Sequence, residues 1–141
     1  METSEKESQR VKAVLDTHAA LYLALEARAL GASAQRLLAG VAPEELVMSD
    51  VTLTETARLL CDGDIVVNGA ALAWLETFAL GFQVLPVTPA IAWKAARYTF
   101  AHRDPCDRHI LATADILALP LVTVDRVLTA AAATVGVRVV W

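Results

Sequence analysis

The sequence predicts an α/β domain built on a mainly parallel, five-stranded sheet. Three observations predict it. Short apolar runs alternate along the chain with longer alanine- and leucine-rich stretches of helical length. The short runs are continuously apolar, as strands covered on both faces must be. The 141 residues, one domain's worth, are 56% hydrophobic and 20% charged, a balance that suits such a doubly covered sheet or an apolar surface covered by a partner.

The elements follow in order. Residues 1–10 (METSEKESQR) are polar and mixed in charge and read as a tail ahead of a single domain over 11–141. Residues 11–15 (VKAVL) read as the first strand. Asp16-Thr17-His18 then opens a helix of alanines and leucines reaching Leu30. A second helix begins near Ser33 (SAQRLLAG) and stops at Gly40. Residues 45–49 (ELVMS) are the second strand, and the helix from Asp50 to Leu60 carries Leu53, Ala57 and Leu60 on one face. The turn-rich CDGDIVVN leads to a helix over 69–80 (GAALAWLETFAL), closed by Gly81. FQVLPV is the third strand, and Pro89 starts a helix running to Phe100. Asp104 starts the next helix. LPLVTV is the fourth strand, a short alanine helix follows, and VRVVW closes the sheet as the fifth.

Several classes are excluded. The net charge of −4 provides no overall electrostatic footprint for nucleic acid, so any such binding needs a local patch or a metal. The mean hydropathy of +0.48 is high, yet no window supplies the about 18 uninterrupted apolar residues of a membrane span. The first residues lack the apolar core of a signal peptide, which suggests a cytoplasmic protein. Cys61 and Cys106 are far apart without metal-type spacing, consistent with a reducing compartment.

Four acids stand out by position. Asp16 follows the first strand and Asp125 the fourth. Glu55 lies early in the helix after the second strand, and Asp107 lies in HRDPCDRHILATAD at another helix start. Ligands of an open parallel sheet bind outside the carboxyl ends of its strands, where those helices begin. Each acid can also be explained by helix capping: Asp104 as N-cap, Pro105 as first residue and Asp107 as third make a well-formed helix start. Taken together they point elsewhere, because carboxylates gathered at one edge repel one another, a cost that a divalent cation removes. Carboxylates without clustered Cys or His suit Mg²⁺ or Mn²⁺ rather than zinc, and such ions support phosphodiester hydrolysis.

The ordered series VLDTH, VTLTE, GFQVLPVT, HRDPCDRHILATA, LPLVTVD and VRVVW resembles the PIN-domain nucleases, in particular the VapC-type ribonuclease toxins of prokaryotic toxin–antitoxin pairs. The resemblance runs over residues 11–141. It implies a three-layer α/β/α domain that cleaves RNA hydrolytically with Mg²⁺ or Mn²⁺. It implies Asp16, Glu55 and Asp107 as the three most constant acids, Asp125 as a fourth, and Asp104 in support as cap or outer partner. A homodimer and a cognate antitoxin are implied too. This chain departs from the subgroup at Cys106, where an aromatic is usual, and at Thr54, where a tryptophan is.

Around the acids, Thr17 and Thr123 are placed to hold carboxylates or water by hydrogen bonds. Arg103, Arg108, Arg126 and His18 flank the site and could hold an RNA backbone, although solvated helix-start arginines would look the same. Trp74, Trp93 and Trp141 read as packing residues, and Asp115 as a surface or helix-end acid. The other class considered is a non-catalytic α/β binding module or a receiver-like signalling module. A receiver needs an acidic pair at the first strand and a lysine after the last; this chain has a lone Asp16 and no lysine beyond Lys94.

Overall fold

The computed structural model describes residues 11–99 and 104–141. The 1–10 tail and Arg103 lie outside the described residues. Five short strands form one sheet: β1 (Ala13–Leu15), β2 (Leu46–Ser49), β3 (Gln83–Leu85), β4 (Leu121–Val122) and β5 (Val139–Val140). Their order is β3-β2-β1-β4-β5 and every pairing is parallel. The helices are α1 (Thr17–Leu25), α2 (Ala32–Leu38), α3 (Asp50–Cys61), α4 (Ala71–Leu80), α5 (Pro89–Arg97), α6 (Pro105–Leu117) and α7 (Arg126–Thr134). The predicted fold class stands.

Strand residues alternate between two separate cores. Ala13, Leu15, Leu46 and Met48 pack with Ala20, Leu21, Ala34, Leu38 and Phe78 from α1, α2 and α4. Val14, Val47 and Leu121 turn the other way, onto Ile110, Leu111 and Ala114 of α6 and Leu128 of α7. Both faces are therefore covered, which is why the strands are apolar without alternation. Each fully buried Leu or Met here contributes about 1.5–3 kcal/mol relative to an exposed one. On the outer side of α6, Ala112 receives Ile91 and Ala95 of α5.

Asp16, Asp104 and Asp125 cap helix starts as the sequence indicates, and Ser49 and Thr88 cap two more. Asp16, Ser49, Thr88, Asp104 and Asp125 each accept a bond from a main-chain N–H in the first turn that follows. Helix ends depart further from expectation. The first helix stops at Leu25 instead of Leu30, because Glu26 leaves the helical region (φ −156°, ψ 72°) and a 3-10 turn at Ala27–Ala29 swings Leu30 into the core. The helix from Pro89 stops at Arg97, with Tyr98 extended. Gly31 then lies against the last residue: a Cβ there would sit 2.6 Å from Trp141 Cδ1, and Ser33 N–H donates to the Trp141 carbonyl. No helix among the described residues is long and apolar enough to cross a membrane.

Candidate active site

The strand order dictates where a ligand can sit. From β1 the chain passes outward to β2 and β3, then crosses back to place β4 on the other side of β1. This switch opens a crevice beyond the carboxyl ends of β1 and β4. Asp16 is the residue after β1. Thr123 follows β4, and Asp125 caps α7 two residues later.

Asp16 is only 4% exposed. Its Oδ1 accepts from the Ala19 N–H at 2.8 Å, capping α1, and its Oδ2 accepts from the Thr123 hydroxyl. Thr123 Oγ1 in turn accepts from the Asp125 N–H at 3.0 Å, so one hydroxyl ties the ends of β1 and β4 together. Burial raises the Asp16 pKa above the ordinary carboxylate value. The bonds from Thr123 and Ala19 and the nearby His18 oppose the rise, and Asp125 adds to it.

Glu55 is half-buried in α3, and its Oε1 accepts from the Thr17 hydroxyl at 2.6 Å. Thr17 Oγ1 also lies 3.2 Å from Thr52 Oγ1, one turn before Glu55. Burial raises the Glu55 pKa too; Thr17 opposes this, the charges of Asp107 and Asp104 add to it, and His18 opposes it. Asp107 stands in the first turn of α6. Asp104 caps that helix, its Oδ1 accepting from the N–H groups of Cys106 at 2.9 Å and Asp107 at 3.4 Å. The Cys106 thiol senses the same negative field: partial burial first, then Glu55, Asp104 and Asp107, push it up to about 11.

Asp16 thus senses the charge of Asp125, Glu55 senses those of Asp107 and Asp104, and the exposed His18 acts on both Asp16 and Glu55. Among the described residues, no three His, Cys, Asp or Glu side chains are grouped closely enough to hold a metal ion as they stand. The donor set nevertheless fits a hard divalent ion: it is made of carboxylates, two of them pushed toward protonation, and a cation reverses that push.

The flanking residues divide. Arg126 is exposed in the first turn of α7, beside Asp125. Arg108 turns toward α5: Nε donates to the Ala95 carbonyl at 3.0 Å and an Nη to the Tyr98 carbonyl at 2.5 Å. Asp115, read above as a surface or helix-end acid, is engaged in the same region. It accepts from the Tyr98 hydroxyl at 2.9 Å and pairs with Lys94 at 3.2 Å. Two of the three tryptophans pack as expected, Trp74 stacking on Phe78 and Trp141 tilting against Tyr22. Trp93 does not: it is 67% exposed on α5 with the Arg97 guanidinium over its ring. Arg58 was not singled out by sequence. It is exposed one turn beyond Glu55, and its charge opposes the acids at the Cys106 thiol. Its i+3 spacing from Glu55 was the available signal.

Fold and site together define an open parallel α/β domain with acidic side chains beside its topological switch. The PIN domain family model matches residues 13–133, and the chain belongs to that family. The structure is similar to that of DNA-bound VapBC from Salmonella typhimurium, with TM-score 0.67 and 18% identity over 92% of this chain and 96% of that one. It is also similar to the sarcin-ricin loop cleaving toxin VapC20 of Mycobacterium tuberculosis, with TM-score 0.60 and 24% identity over 85% and 95%. A toxin–antitoxin complex from Klebsiella pneumoniae matches with TM-score 0.57 and 20% identity over 81% and 87%. No curated protein matches the chain in sequence.

Proposed function

We propose that this PIN-domain protein is a metal-dependent endoribonuclease and the toxin of a type II toxin–antitoxin pair. The observation that carries the reading is the pairing of acids from segments far apart in sequence: Asp125 raises the Asp16 pKa after β1, and Asp107 raises that of Glu55. In this reading these four hold Mg²⁺ or Mn²⁺. When bound, such an ion supplies a water of lowered pKa and neutralises charge on the phosphodiester.

The chain's own residues do the rest. Thr123 fixes Asp16 and Thr17 fixes Glu55, so neither carboxylate must reorganise when it takes up a ligand. Asp104 holds the first turn of α6 and with it Asp107. His18 and Arg126, exposed at the helix starts beside Asp16 and Asp125, serve the RNA phosphate; Arg103 belongs with them by sequence. Water attacks directly, with no covalent enzyme intermediate.

The partner reading has separate support. A cavity of about 370 Å³ opens between α1, α2 and α4, lined by Leu23, Leu38, Val41, Trp74, Phe78 and Phe82. Leu72 and Leu80 of α4 are exposed at 67% and 78%. Such a surface suits an apolar segment of a cognate antitoxin, in keeping with the complexes among its structural neighbours. A homodimer in the cytoplasm completes the reading, and exposed Trp93 offers it an anchor.

The test is RNA cleavage by the purified chain with Mg²⁺ or Mn²⁺ and with chelator, beside Asp16→Asn and Glu55→Gln. Metal-dependent cutting that both variants lose supports the reading. Cutting by folded variants, or cutting in chelator, refutes it.

A further inference from the structure

Arg108 directly follows Asp107, and its side chain crosses to another helix. The last four carbonyls of a helix have no partner within it, and Ala95 supplies one of them at the end of α5. Arg108 Nε donates to that carbonyl at 3.0 Å, and an Nη donates at 2.5 Å to the carbonyl of Tyr98, where the chain has already left the helix. The guanidinium also lies 5.9 Å from the centroid of the Tyr98 ring. A cation at this place meets the negative end of the α5 dipole, and its planar fork sets the distance between the two helices.

We infer that Arg108 is a positioning residue: by fastening the first turn of α6 to the end of α5, it sets where Asp107 stands relative to Glu55. This rests on the metal-site reading above and extends it. Asp104 constrains the same turn from its N-cap, through the N–H groups of Cys106 and Asp107. The turn is thus held by a cap at its start and by its own Arg108, which reaches across to the end of α5. The contact of Asp115 with Tyr98 and Lys94 joins the same two helices further along α6, two turns beyond Arg108. It provides a control, because its loss loosens the helix pair without releasing the turn that carries Asp107.

The experiment compares R108M, R108K and D115N with the wild type, each checked by circular dichroism and thermal melting. One readout is Mn²⁺ affinity by calorimetry. The other, made without metal, is the rate of Cys106 alkylation, which reports on how firmly the first turn of α6, where the half-buried Cys106 sits, is held. R108M is expected to lose about tenfold in Mn²⁺ affinity, the loss typical of removing a residue that orients a ligand. R108K, which keeps a donor for one carbonyl, should recover part of it. Cys106 alkylation should change several-fold in R108M, and D115N should alter the melting temperature alone. R108M with wild-type affinity and alkylation overturns the inference, as does D115N weakening metal binding equally. Should R108M fail to fold, R108K decides by the same two readouts. If the wild type binds no Mn²⁺, the metal reading fails and this inference with it, whereas unchanged alkylation in R108M fails the inference alone.

Discussion

Replacing Asp16 by Asn should stabilise the metal-free protein and abolish its response to metal. Asp16 is 4% exposed, and burial is the largest influence on its carboxyl. Asn has the same shape. Its amide oxygen can accept from the Ala19 N–H at the position of Oδ1, and its amide N–H can donate to Thr123 Oγ1. Hydrogen bonds lose about 1 kcal/mol each when the charged partner becomes neutral. Removing a buried charge returns several kcal/mol of desolvation, on the order of 3–4. The net is a gain of about 1–2 kcal/mol, or about 3–8 °C in melting temperature for a chain of this length.

Metal reverses the ranking. At a Mn²⁺ concentration about a hundredfold above its dissociation constant, the wild type gains about 2.7 kcal/mol and the variant little. Thermal melts of both proteins in chelator and in Mn²⁺ should therefore cross: the variant melts higher without metal, the wild type with it. A variant that melts lower in chelator shows that the charge is already accommodated. An equal rise with Mn²⁺ in both proteins removes Asp16 from the metal site. Either result refutes the reasoning.

The same shifts set a pH dependence. With its folded pKa raised, Asp16 or Glu55 favours folding of the metal-free protein below the unfolded pKa, and that contribution is lost as pH rises through the folded pKa. Metal needs the ionised forms, so Mn²⁺ affinity should fall on acidification at a higher pH than ordinary carboxylates would dictate; titrations at a series of pH values read this directly. Thr17→Val, which removes the hydroxyl from Glu55 Oε1, should weaken Mn²⁺ binding by about 10–100-fold while the fold persists in circular dichroism. With a pKa of about 11, Cys106 is about one part in a thousand thiolate at pH 8. Mass spectrometry after brief iodoacetamide treatment should find exposed Cys61 modified well before Cys106. Gly31→Ala forces a Cβ against Trp141 and should cost about 1–3 kcal/mol in denaturant melts without changing metal affinity.

What was legible in the sequence follows from range. The strands were readable because both faces are covered, which leaves a continuous apolar signature at Ala13–Leu15 and Leu46–Ser49. Asp16, Asp104 and Asp125 were readable because caps are local, and the parallel fold then sends helix starts to one edge. The carboxylates of Asp16, Asp104 and Asp125 do cap helices, as the sequence indicates. Contacts between distant segments were not readable. The bond from Thr17 to Glu55 spans 38 residues and that from Thr123 to Asp16 spans 107. Arg108 looks from sequence like a helix-start arginine facing solvent, and only the packing of α5 on α6 gives it carbonyls to meet. Trp93 was misjudged because an apolar residue on a helix points inward only where something covers that face, and on α5 nothing among the described residues does. The end of α1 at Leu25 was missed because helix-forming residues continue past it, while Leu30 is drawn into the core by tertiary packing.

The central claim is that the acids of the switch crevice form a metal site, and Mn²⁺ calorimetry on the wild type and on folded Asp107→Asn tests it most directly. Asp107 acts on Glu55 from the first turn of another helix, and its loss should leave the cap by Asp104 in place. The account predicts stoichiometric binding to the wild type and at least a tenfold weaker affinity in the variant. Absence of binding to both proteins, or equal binding to both, contradicts it and returns Asp107 to a helix-start role.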